Sequence, residues 1–164
     1  MDIVLYVNAD PYGQALLRDS LNERPLGDPV DIAFGVETRL NIVIFKDEDS
    51  GTEPFQVPEE IFDWVFAIDN DFDHATPPVI QTGNVQVQQS ESETRIIAKC
   101  SSEMMSNPAL AELLSGQEDS NGFIGELAGY DKPACYDDAK CIFCLQIKGF
   151  RFRNRICFCN SNNS

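Results

Sequence analysis

Apolar residues recur at alternate positions in short runs, and acidic, Gly- and Pro-containing segments cut those runs short of helical length. Val30, Ile32 and Phe34 alternate with Asp31 and Ala33. Leu40, Ile42 and Ile44 keep the same period, and Val43 and Phe45 fill the positions between, which predicts a strand covered on both faces. Over 61–68, Trp64, Phe66 and Ile68 point one way and Asp63, Val65 and Ala67 the other. Val85 and Val87, then Thr94 to Ala98, read as a hairpin joined through Gln89-Ser90-Glu91-Ser92. Phe123 to Tyr130 and Cys141 to Ile147 add two more strands, and Lys148-Gly149 turns the chain or bulges it. Beyond that point Phe150, Phe152, Asn154 and Ile156 alternate with Arg151, Arg153 and Arg155.

One helix is expected. Asn107 can cap it, Pro108 suits its first turn, and Leu110, Leu113 and Leu114 form an apolar stripe that Gly116 closes. At two or so turns it must dock on something, and one open end of a sandwich is the natural place. Short strands separated by Gly, Pro and Asp loops, with no alternation of strand and long helix, point to a mostly β fold. The expected form is an antiparallel β-sandwich, immunoglobulin-like or jelly-roll-like, with one short helix. Residues 30–158 would form the sandwich, 159–164 a frayed polar tail, and 1–29, broken by Pro11, Pro25 and Pro29, a peripheral arm or edge element. A second possibility is that Ile3 to Val7 pairs with the main sheet.

The chain has 164 residues, 43% of them apolar, which suffices for one ordinary core. Its formal net charge of −15 repels a phosphate backbone, so no nucleic-acid partner is expected. No apolar run approaches the roughly 20 residues of a membrane span, and the opening residues lack the pattern of a secretory leader. No membrane insertion is therefore expected.

Two clusters could hold a metal. Cys141, Cys144, Cys157 and Cys159 offer four thiolates at spacings near those of structural zinc sites. Against zinc, an extended backbone would set Cys141 and Cys144 on opposite faces. Disulfides among Cys135, Cys141, Cys157 and Cys159, or free buried thiols, are the competing readings, and Cys100 completes the set of six. Asp69, Asp71 and Asp73 form the first half of a calcium loop. The remainder departs from that pattern, with His74 where Gly belongs and Ile80 where the bidentate Glu belongs. A solvated acidic turn is the plain alternative.

No phosphate loop, dinucleotide fingerprint or Gly-x-Ser-x-Gly elbow occurs, and the single histidine, His74, reads as a turn residue. The expectation is a chain that is not an enzyme and carries no cofactor. Arg151, Arg153 and Arg155 are expected to pair with the domain's own carboxylates or those of a neighbouring subunit, and could shield an edge strand.

The run Trp64 to Asp73, the Ala75-Thr76-Pro77 that follows it, and the closing Phe150 to Ile156, together with the strand Leu40 to Phe45, resemble β-sandwich modules of tailed-phage and prophage tail, baseplate or fibre proteins. The resemblance covers about residues 30–158. It implies an adapter between a tail tip and a distal domain: a structural protein of the virion that forms homo-oligomers, with a trimer as one form, and binds other virion proteins. It implies Trp64, Phe66 and Ile68 as core residues. This chain departs from the pattern in its cysteines and in lacking a coiled-coil or collagen-like extension after Ile156. The alternative function is a carbohydrate- or ligand-binding β-sandwich, with Trp64, Tyr130 and Tyr136 as aromatic faces and calcium at Asp69 to Asp73. That reading requires an exposed aromatic platform.

Overall fold

The computed structural model describes residues 1–9, 14–18, 30–46, 53–72, 77–115 and 119–153, with backbone alone at 14–18 and 119–121. Ten strands share one hydrogen-bonded order. They are β1 (Asp2–Ala9), β2 (Gln14–Arg18), β3 (Val30–Ala33), β4 (Thr38–Lys46), β5 (Asp63–Asp69), β6 (Ile80–Thr82), β7 (Val85–Gln89), β8 (Thr94–Cys100), β9 (Asp119–Tyr130) and β10 (Cys141–Arg153). The order is β6-β5-β9-β10-β2-β1-β4-β8-β7, and β3 pairs with β10 beyond this path. The two ends of the order, β6 and β7, are joined in sequence by Gly83-Asn84, so the sheet folds back on itself. Thr82 Oγ1 donates to the Lys99 carbonyl at 2.8 Å and ties β6 to β8 across that closure. The result is the expected mostly β, sandwich-like architecture with one short helix.

The core follows the period-two pattern. Leu40, Ile42 and Ile44 of β4 meet Phe66 and Ile68 of β5, Phe123 and Leu127 of β9, and Leu145, Ile147, Phe150 and Phe152 of β10 in one cluster. Val43 and Phe45 are also buried, as a strand covered on both faces requires, and Tyr6 stacks on Phe45 with ring centroids 6.5 Å apart. Trp64 is half-buried rather than a full core residue, and meets the ring of Phe143 edge-on at 5.6 Å.

Three pairings are parallel, β1 with β4, β10 with β2 and β10 with β3, so the sheet is mixed rather than antiparallel throughout. Of the two readings of Ile3 to Val7, the structure shows pairing with the main sheet. β1 lies between β2 and β4, and Leu5, Val7 and Ala9 are buried in the core. A strand at the centre of a sheet is satisfied on both sides, which a peripheral arm is not.

Lys148-Gly149 is a bulge inside one long strand, not a turn between two. Its Gly149 has φ 105°, and the register with β9 shifts between Lys148 and Phe150. The extra residue changes parity, so Phe143, Leu145 and Ile147 before it and Phe150 and Phe152 after it all face the core.

The helix, α1 (Pro108–Leu113), starts as expected. The Asn107 side chain accepts from Leu110 N–H at 2.9 Å and donates to the Val79 carbonyl at 2.8 Å, which pins the helix beside β6. Leu110 and Leu114 enter the core. Gly116, the tail 159–164 and Asn154 to Ile156 lie outside the described residues.

Candidate functional site

The strands β6, β5, β9 and β10 present one face away from the core. Register places Gln81, Ala67, Glu126 and Gln146 side by side on it, one from each strand. The next rung is Val65, Ala128 and Cys144. Small side chains at Ala67 and Ala128 leave a groove of about 390 Å³, walled by Phe72 and Pro78 and ended by Tyr130. Gln146 Nε2 donates to Glu126 Oε2 at 3.1 Å, so the groove carries an amide and a carboxylate already aligned to one another. Burial, with the thiols and carboxylates around it, raises the Tyr130 pKa and keeps its hydroxyl a donor at neutral pH. The groove can therefore offer planar hydrogen-bonding groups over an apolar floor, which suits a polar uncharged ligand.

Gln81, Glu126 and Gln146 were not singled out by the sequence. They are distant in the chain, and only strand register aligns them.

The zinc candidates divide. A bulge sets Cys141 opposite Tyr130 and Cys144 opposite Ala128, so both thiols lie on the outer face. This corrects the expectation that an extended backbone would part them; the inserted residue reverses the alternation. Cys157 and Cys159 lie outside the described residues. Cys144 keeps an exposed edge, yet partial burial, then the charge of Glu126, pushes its pKa up to about 12. Burial pushes Cys100 up to about 11. Both shifts favour the protonated thiol at neutral pH. Among the described residues Cys100, Cys135, Cys141 and Cys144 form no disulfide with one another.

The calcium candidates also divide. Asp69 is buried and its Oδ1 accepts from Asn70 N–H at 2.8 Å, whereas Asp71 is exposed. Both line a second, open groove with Glu112, Val79 and Leu113. Asp73 and His74 lie outside the described residues. Among the described residues no three His, Cys, Asp or Glu side chains are grouped to hold a metal.

The basic row pairs within the domain, as expected. Arg151 Nε lies 2.6 Å from Asp31 Oδ1 and Arg153 Nε 3.0 Å from Oδ2. The hydrogen bond from Arg151 leads the causes that hold the Asp31 carboxyl below its usual range. Arg155 lies outside the described residues.

One end of the molecule carries exposed apolar side chains among charged ones such as Lys132 and Asp138. Phe62 is 68% exposed, Tyr136 57% and Ile142 38%. Phe62 N–H donates to the Tyr130 carbonyl and Ala134 N–H to Asp63 Oδ2, so the Phe62 segment, the loop carrying Tyr136 and the start of β10 converge there. No helix among the described residues is long and apolar enough to cross a membrane.

No family model matches the chain, and no curated protein matches it. Among solved structures it is similar to the inclusion body protein PixA from Burkholderia cenocepacia J2315, at 6% identity over 94% of this chain and 95% of that one, with a TM-score of 0.32. A likeness at that level assigns neither a family nor an activity.

Proposed function

We propose that this chain is a non-catalytic structural and interaction module that works by associating with copies of itself and with other proteins. The observation that carries the reading is the pair of rings, Phe62 and Tyr136, that stand exposed on a chain of net charge −15. Exposed aromatic side chains grouped in this way favour protein contact. In its finer form the reading is a tail, baseplate or fibre component of a virion, and rests on the resemblance carried by Trp64 to Asp73 and Phe150 to Ile156. A trimer is one form such an assembly could take.

The test is solution mass by light scattering in reducing buffer, with and without calcium, for the wild type and for Phe62→Ser. An oligomer that Phe62→Ser weakens supports the reading. A monomer at every concentration overturns it.

A second reading has its own observation. The groove bearing Gln81, Glu126, Gln146 and Tyr130 suits a carbohydrate or similar polar ligand, and Tyr136 supplies an exposed ring. Glycan-array binding that Gln146→Ala abolishes, with folding unchanged, would favour it. Dependence on calcium would bring in Asp69 and Asp71.

A further inference from the structure

We infer that β7 is a docking edge for a second copy of this chain, which adds its own β7 antiparallel across a two-fold axis at Val87. The inference rests on the self-association proposed above and names a surface for it, distinct from the one bearing Phe62 and Tyr136.

The hydrogen bonds around β7 show which of its backbone groups are free. Lys99 N–H donates to the Asn84 carbonyl at 3.0 Å, and Ser90 N–H donates to the Glu93 carbonyl at 2.8 Å. In an antiparallel ladder the bonded pairs fall at every second residue between these two. Gln86 with Ile97 and Gln88 with Arg95 are therefore the bonded pairs, and Val85, Val87 and Gln89 turn their N–H and C=O groups away from β8. Val85 N–H is taken by the Gly83 carbonyl at 2.9 Å. The N–H groups of Val87 and Gln89 find no partner among the described residues.

Edges of this kind are ordinarily blunted by charge, proline, a bulge or brevity. The opposite end of the strand order, β6, is three residues long and tied to β8 by Thr82. β7 lacks charge, proline and a bulge: Val-Gln-Val-Gln-Gln is neutral and in unbroken register with β8, and a loop reaches it at its end, where the Gln89 side chain donates to Gln56 Oε1.

The strand is complementary to itself. A two-fold axis at Val87 sets each Val87 N–H against the second copy's Val87 carbonyl, and each Gln89 N–H against the second copy's Val85 carbonyl. Glu91 falls opposite Gly83, and Ser90 opposite Asn84, so no acid meets an acid on this otherwise acidic chain. Val87, half-buried against the core, faces the second copy's Val87, and Val85 faces its Gln89. A strand pair this short buries less than the roughly 1,200 Å² of a stable interface, so the association is reversible.

The same axis places Gln86 opposite the second copy's Gln88, both exposed on the outer face. That gives a test at solvent-exposed positions, with circular dichroism to confirm the fold of each variant because Gln88 stands opposite Arg95 within the sheet. Sedimentation velocity of the full chain, from about 10 μM to about 1 mM, is run for the wild type, Gln86→Glu/Gln88→Glu and Gln86→Lys/Gln88→Lys. Like charges opposite one another should raise the dissociation constant of each variant about tenfold, and an equal mixture of the two should restore association. Wild type that associates while both variants associate equally well overturns this edge and leaves the assembly reading standing. Weakened variants whose mixture does not recover overturn the antiparallel register. A trimer as the sole species excludes the two-fold contact. A monomeric wild type throughout overturns the edge and the assembly reading together.

Discussion

Gly125 lies on the core face of β9, where a methyl group has no room. A Cβ there would stand 2.7 Å from Phe150 Cε2 and 3.1 Å from Phe66 Cζ. Both rings are wholly buried, so neither can step aside without moving the core. Gly125→Ala should destabilise the fold by about 1–3 kcal/mol, read as a lower urea midpoint. Gly83, with nothing within 4 Å of its Cβ position, is the control and should change little on the same substitution. Asp31 gives a pH-dependent test. Its carboxyl titrates below the ordinary value because Arg151, then Arg153, bonds the charged form. A depressed carboxylate pKa contributes stability that is fully present above the unfolded-state value of about 4 and is lost as pH falls through the folded-state value. The Asp31 side chain is 39% exposed, so solvent screening holds the contribution to about 1 kcal/mol or less. Asp31→Asn should therefore lower stability slightly at pH 7 and leave it unchanged in strong acid; an equal loss at both pH values would mean that packing, not charge, is at stake.

Among the elements, β10 shows how one residue sets the faces of a whole strand. Its thirteen residues cross the molecule, and its Gly149 bulge keeps Phe150 and Phe152 in the core after Ile147 has already taken the inward position. Gly149→Val would force a β-branched residue to φ 105°, a conformation that costs roughly 1–2 kcal/mol. Hydrogen exchange should then show loss of protection in β10 from Lys148 onward while β4 and β8 stay protected. Loss spread evenly over all strands would mean that the bulge is not a local device. The sequence announced this site as either turn or bulge. The choice between them was settled by β9, which pairs on both sides of Gly149.

At the level of the whole molecule, β1 is the element whose role the sequence understated. It joins β2 to β4 by eight rungs of parallel pairing with β4 and carries Leu5, Val7 and Ala9 into the core. Deleting residues 1–9 should abolish cooperative urea unfolding, whereas removal of a peripheral arm would leave the midpoint nearly unchanged. The candidate groove has the same origin as this central placement. Gln81, Glu126 and Gln146 become neighbours only because β6, β5, β9 and β10 pair in that order.

By itself the sequence determined most of the strands and which of their faces turn inward, because alternation at a period of two is local and each long strand carries its own copy of it; the short β2, whose Leu16 and Leu17 suggested a brief helix, and the three-residue β6 were not legible in it. The buried faces of β4 and β5 and the capped start of α1 were legible for that reason. Tertiary structure alone decided the neighbours: the parallel pairing of β1 with β4, the rung from Gln81 to Gln146, the bulge that brings Cys141 and Cys144 to one face, and the open edge of β7. Pairing is a choice among strands distant in the chain, made by how their apolar faces pack together and how their backbone hydrogen bonds are satisfied, and no local pattern encodes it.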